Sequence, residues 1–158
     1  MTIVYTLKVI FVSWMIGHAP ALVLQRVLPI NTRWQVNLVA NAKLNTLLGV
    51  GVCKRVLARS FIQYFNRRLR IPCRRPELSE LVKVRDAMTY AEIVHVVGFA
   101  YVVGIAVMNV INEEHQGMTT PICAVNVVAN LYPALVQQMN KRRIDRAIRA
   151  LGSRNDRR

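Results

Sequence analysis

Cysteine is scarce in this sequence. The three present, Cys53, Cys73 and Cys123, are odd in number and form no Cys-x-x-Cys pair. Neither a disulfide framework nor a zinc site is indicated. Cys53 and Cys73 fall in a basic segment expected to face the cytoplasm, where thiols stay reduced. Acidic residues are scarce too: 8 Asp and Glu stand against 22 Lys and Arg, for a net charge of +14. There is no Ser-His-Asp elbow and no glycine loop of the kind that cradles phosphate. Nor is there an internal repeat or a low-complexity tract. The most informative absence is of positive charge: no lysine or arginine occurs from Tyr90 to Met139.

That stretch holds two apolar runs, residues 90–111 and 118–139, joined by the polar turn Asn-Glu-Glu-His-Gln-Gly. Each run has the ~20 residues that a helix needs to cross a bilayer. Basic residues crowd both outer flanks, Lys83 and Arg85 before, Lys141, Arg142 and Arg143 after. Positive charge is retained on the cytoplasmic side of a membrane. The pattern predicts a membrane hairpin with its turn outside and both feet in the cytoplasm.

Charge and hydrophobicity occupy different segments. Although 53% of residues are hydrophobic, 12 Lys and Arg lie between Arg33 and Arg85 and 8 lie after Asn140. That segregation suits anionic lipid headgroups, where a basic residue gains ~1 kcal/mol. A soluble protein this basic would suggest nucleic acid, but no binding motif accompanies the charge, so no nucleic-acid partner is expected.

Residues 3–24 form a further apolar stretch, interrupted by Lys8 and His18. Ala19-Pro20-Ala21 has the small-x-small form of a cleavage site, yet the run continues through Leu22, Val23 and Leu24. A retained span is expected, with the N terminus outside and Arg26 and Arg33 inside. Residues 34–88 read as a cytoplasmic basic segment. Within it, residues 38–52 are too short and polar for a span. Leu57, Phe61, Tyr64, Phe65 and Leu69 recur at helical spacing among arginines, the pattern of a basic helix lying in the membrane interface. Residues 77–86 read as a short polar helix leading into the hairpin. Residues 140–158 form a basic cytoplasmic tail. There Ile144, Ala147, Ile148 and Leu151 make one face of a second surface-lying helix, stopped by Gly152. The expected fold is all-α, an integral membrane protein forming a single domain over residues 1–158, with three transmembrane helices and basic amphipathic interfacial helices.

Polar side chains at membrane depth are costly and mark function or helix packing. Glu92 and His95 are three apart and share a helix face. In an antiparallel hairpin turning near Glu114 and His115, Glu92 falls level with Gln138 and His95 with Leu135. Gln137, Gln138 and Asn140 are then neighbours of the pair. Deeper, Asn130 falls level with Ala100 and Asn126 with Gly104, and the Ala100–Gly104 spacing lets helices approach closely. Two readings of Glu92 and His95 stand. In one, a neutral His95 takes the proton of a hydroxyl as it attacks an acyl group, and the carboxylate holds the imidazole in the right tautomer. In the other, the pair is a structural hydrogen bond at the membrane boundary. A di-iron site would need a second Glu-x-x-His and further carboxylates, so no metal and no cofactor is expected. Asn126 and Asn130 are expected to hydrogen-bond between helices. His18 is a candidate to face the same pocket, and His115 is expected in solvent.

The end of the second hairpin helix, residues 129–151, reads ANLYPALVQQMNKRRIDRAIRAL. It resembles the C-terminal signature of the glycosyl-4,4'-diaponeurosporenoate acyltransferase family, with Asn130, Gln137, Asn140 and Arg143 in register. Ala91-Glu92-Ile93-Val94-His95 resembles that family's Ala-Glu-Leu-x-His. Where the family has proline two residues after the Asn, this chain has Tyr132, with Pro133 one place later.

The resemblance implies a small membrane enzyme that esterifies a sugar hydroxyl of a glycosylated carotenoid with a fatty acyl chain. It implies Glu92 and His95 as catalytic residues and Gln137 and Asn140 as substrate-binding residues; Gln138, level with Glu92 in the hairpin, and Asn130, in register with the signature, are expected to join them in binding substrate. The implied partners are membrane lipids, an amphiphilic glycosylated acceptor and an acyl donor such as a thioester. Basic residues 67–75 would hold the donor's phosphates. The alternative is a non-catalytic membrane subunit or scaffold that binds lipid or a membrane-protein partner, its hairpin using Ala100, Gly104, Asn126 and Asn130.

Overall fold

A computed structural model of the chain describes residues 2–27, 49–52, 55, 77–113 and 116–155. The expected interfacial helix around Leu57–Leu69, the phosphate-holding stretch 67–75, and Glu114 and His115 lie outside the described residues. No strand occurs among the described residues, and helices account for nearly all of them. They are α1 (Thr2–Val27), α2 (Leu78–Ile111), α3 (Gln116–Asn126), a π turn (Val127–Leu131) and α4 (Tyr132–Asn155). Three helical segments are long and apolar enough to cross a membrane: Thr2–Val23, Leu78–Ile111 and Gly117–Ser153. The described part of the chain is thus helical, and its three long apolar helices mark a membrane protein.

The chain divides into two compact units, one of residues 1–29 and 92–134, the other of residues 30–91 and 135–158. In the first unit, α1 and the C-terminal part of α2 pack with α3. Val9 and Ile10 of α1 meet Val102 and Ala106 of α2 and Ile122 of α3, with Tyr5, Tyr101, Ile105 and Ala129 around them. The opposite faces are apolar and exposed, as in Ile3, Leu7, Phe11, Trp14 and Met15 on α1 and Val103, Val107 and Val110 on α2. A row of large apolar side chains turned outward on a spanning helix is a lipid-facing surface.

The α1–α2 crossing depends on missing side chains. A Cβ at Gly17 would run into the Val94 carbonyl, and one at Gly98 would stand 3.0 Å from the Ser13 carbonyl oxygen. Small residues let spanning helices approach in this way. The seam expected at Ala100 and Gly104 is not used here. Both residues are exposed, and nothing lies within 4 Å of a Cβ built on Gly104.

In the second unit, Leu81 and Met88 of α2 pack on Ile144 of α4, flanked by Val84, Ala147, Ile148 and Leu151. The apolar face of the tail helix, expected to rest on lipid, thus meets protein. Arg143, Arg146 and Arg149 stay exposed on its other side. Beside this core the fully buried Arg85 donates from Nε to Asp145 Oδ1 at 2.8 Å. The polar lead-in at residues 77–86 is no separate helix, since α2 begins at Leu78 and runs unbroken into the span. Gly152 does not stop α4, which continues to Asn155.

Candidate active site

Ser13 of α1 and Asn130 of the π turn, both buried, meet Gly98 of α2, with the buried Asn126 beside them. The π turn itself follows from Pro133. Proline has no N–H, and its ring clashes with the carbonyl four residues back, here that of Ala129. The preceding turn is widened, and the Tyr132 N–H bonds the Val127 carbonyl five residues back. Such turns occur often at functional sites. This one carries Asn130, which is completely buried.

Asn130 is held from two sides. Its Nδ2 donates to Asn126 Oδ1 at 2.8 Å and to Ser13 Oγ at 3.3 Å. Asn126 in turn donates from Nδ2 to the Phe99 carbonyl at 3.2 Å. Ser13 donates its hydroxyl to the Ile10 carbonyl at 2.7 Å. Interhelical hydrogen bonding by both asparagines was expected, and the structure has it. The depths differ from the expected levels: Asn126 reaches Phe99 rather than Gly104, and Asn130 packs on Gly98, whose Cβ would lie 3.1 Å from Asn130 Oδ1.

His95 lies one turn before Gly98 on the same face of α2. A Cβ at Gly98 would lie 3.1 Å from Asn130 Oδ1, which puts the Asn130 amide against the same face of α2 that carries His95. Both His95 Nδ1 and Asn130 Oδ1 are buried and have no hydrogen-bond partner among the described residues. His18 is itself exposed on α1. Glu92, a further turn back on α2, is buried at 1% exposure. The site thus combines a histidine, a buried carboxylate on the same helix face, and an amide network anchored on two backbone carbonyls.

Of the residues singled out from sequence, Glu92, His95, Asn126 and Asn130 fall in the first unit. Gln137, Gln138 and Asn140 fall in the second, the two glutamines buried and Asn140 half-buried. Sequence reasoning missed Ser13 and Gly98. The available signals were a hydroxyl within the apolar run of α1 and a glycine three residues after His95.

Residues 30–150 match the family model CrtO, glycosyl-4,4'-diaponeurosporenoate acyltransferase. The match covers the greater part of the chain, well beyond the two motifs, and begins after α1. No curated protein and no solved structure matches. With most of its length inside the family model and three helices fit to span a bilayer, this membrane protein belongs to the glycosyl-4,4'-diaponeurosporenoate acyltransferase family.

Proposed function

We propose that the protein transfers a fatty acyl chain to a sugar hydroxyl of a glycosylated carotenoid or a similar glycolipid. The observation that carries this reading is His95 itself. It is a half-buried histidine one helical turn from a buried carboxylate, in a chain whose family is named for acyl transfer.

The acceptor enters sideways, its tail in lipid and its sugar at His95. A neutral imidazole nitrogen takes the hydroxyl proton as the oxygen forms its bond to the acyl carbonyl carbon. With a thioester as donor, the carbon–sulfur bond then breaks, and the leaving thiolate takes the proton back from the imidazolium. The Glu92 carboxylate favours the positive charge that His95 carries between these steps. Gln137, Gln138 and Asn140, on the stretch that carries the family signature, bind the acceptor. The basic tail and the flanks of the spans face the cytoplasm, so the reaction occurs on the cytoplasmic side of the cell membrane.

The scaffold reading is weakened by burial. Asn126 and Asn130 are 2% and 0% exposed, so two of the four residues it would offer a partner helix are occupied inside the first unit.

The test uses purified protein in lipid nanodiscs, given a glycosylated carotenoid and a fatty acyl thioester. Thiol release that depends on the acceptor, together with a new ester, is expected. Thioester hydrolysis that ignores the acceptor, with no ester formed, would contradict the proposal.

A further inference from the structure

The orientation of Asn130 is dictated by groups that cannot be reversed. A backbone carbonyl only accepts. The Phe99 carbonyl therefore requires the Asn126 amide nitrogen. Asn126 then turns its oxygen to Asn130, which must answer with its own nitrogen. The second anchor agrees. Ser13 spends its proton on the Ile10 carbonyl, so it can only accept from Asn130. Both amide hydrogens of Asn130 are committed, and its buried Oδ1 is left as an acceptor wedged over Gly98, one helical turn from His95. Amide orientations are ordinarily inferred from the surrounding network, and here two independent chains of donors give the same answer.

A neutral imidazole has one N–H and one lone pair, and the partner of the N–H decides which nitrogen is which. We propose that Asn130 is a positioning residue: its Oδ1 accepts the N–H of one His95 ring nitrogen and so fixes the tautomer that leaves the other nitrogen free to take a proton. The Asn126–Phe99 and Ser13–Ile10 bonds are the two stays that keep Asn130 from flipping. This role rests on His95 being the general base. It reassigns Asn130 from binding substrate to orienting the base, and it relieves Glu92 of holding the tautomer. An amide oxygen serves the same purpose in Cys-His-Asn hydrolytic sites. Ser13, which lies outside the family match, becomes part of the device. Its committed proton makes it a support and not a nucleophile.

The experiment is nitrogen NMR on the full chain, labelled with 15N-histidine, in lipid nanodiscs at alkaline pH. The His95 signals are assigned by their loss in His95→Ala. The wild type is expected to show one pyrrole-like and one pyridine-like nitrogen for His95, the signature of a single tautomer. In Asn130→Ala, or the milder Asn130→Ser, the two signals should move toward each other as tautomers interconvert. Asn109→Ala removes a different buried amide of the same unit, one whose partner is Tyr5, and should leave the His95 signals unchanged. In the acyl-transfer assay Asn130→Ala should lower kcat about 10- to 100-fold with KM for the acceptor little changed, the loss typical of a misplaced catalytic group. Averaged His95 signals in the wild type, or a single tautomer that survives Asn130→Ala, would overturn the role. The NMR readout needs no turnover, so it separates this role from the acyl-transfer reading.

Discussion

At the scale of single residues, glycine decides how closely α1 and α2 approach. Gly17→Ala should destabilise the fold by about 1–3 kcal/mol, because the added methyl meets the Val94 backbone and not a flexible side-chain end. Thermal unfolding in detergent measures this. Gly98→Ala should act differently. Its methyl would press on Asn130 Oδ1 as well as on the Ser13 carbonyl, so acyl transfer should fall more than stability does. Gly104→Ala, with open space around it, should be neutral, and a Gly104→Ala cost as large as that of Gly17→Ala would contradict the assignment of the seam. Sequence reasoning placed the seam at Ala100 and Gly104 because antiparallel pairing gives depth along the hairpin. Depth does not give rotation about the helix axis. That rotation is set by α1, whose partner face was not legible in an apolar run with little amphipathic contrast.

At the scale of elements, the third span is a composite of α3, the π turn and α4, and the π turn is what aims Asn130 inward. A π turn holds one residue more than the α-helix around it. Deleting Val128, which is exposed at 65%, should restore regular helix while keeping the flanking segments in register. The deletion is expected to leave the protein in the membrane fraction and to cut acyl transfer at least about tenfold, as a displaced catalytic neighbour does. Full activity in the deletion would show that the turn has no part in the site. In the second unit, the buried Arg85–Asp145 pair should matter more for stability than any exposed arginine of the tail. Asp145→Ala removes the 2.8 Å partner of the buried Arg85 Nε while Asp86 stays at 3.8 Å from Nη1, and losing a hydrogen bond between charged groups costs about 1.5–3 kcal/mol. Chemical denaturation of the variant beside Arg146→Ala gives the comparison. The tail's periodicity showed that it has an apolar face. It did not show what covers that face, because a helix on lipid and a helix on protein need the same stripe. The cover, Leu81 and Met88, lies far away in the sequence.

At the scale of the whole molecule, the absence of lysine and arginine between Tyr90 and Met139 was enough to place the two hairpin spans, and α1 added the third. The physical reason is the cost of charge in hydrocarbon, which writes the spans into composition directly. Family membership was legible in two short motifs, because each holds polar residues that an anonymous apolar helix would not need. The same charge rule predicts the orientation of the protein. A fluorescent protein fused after Arg158 should mature in the cytoplasm, and a cysteine placed at Glu113 should react with a thiol reagent that cannot cross the membrane. Labelling of Glu113→Cys only after permeabilisation would reverse the topology and move the reaction to the other face.

The central claim, acyl transfer at His95, is tested most directly by lipid mass spectrometry. The wild-type chain and His95→Ala are expressed in a bacterium that supplies glycosylated carotenoid, with membrane levels of the two proteins matched. A new fatty-acyl ester of the glycosylated carotenoid is expected in cells with the wild type and none in cells with His95→Ala. The same ester at the same level in both would contradict the claim.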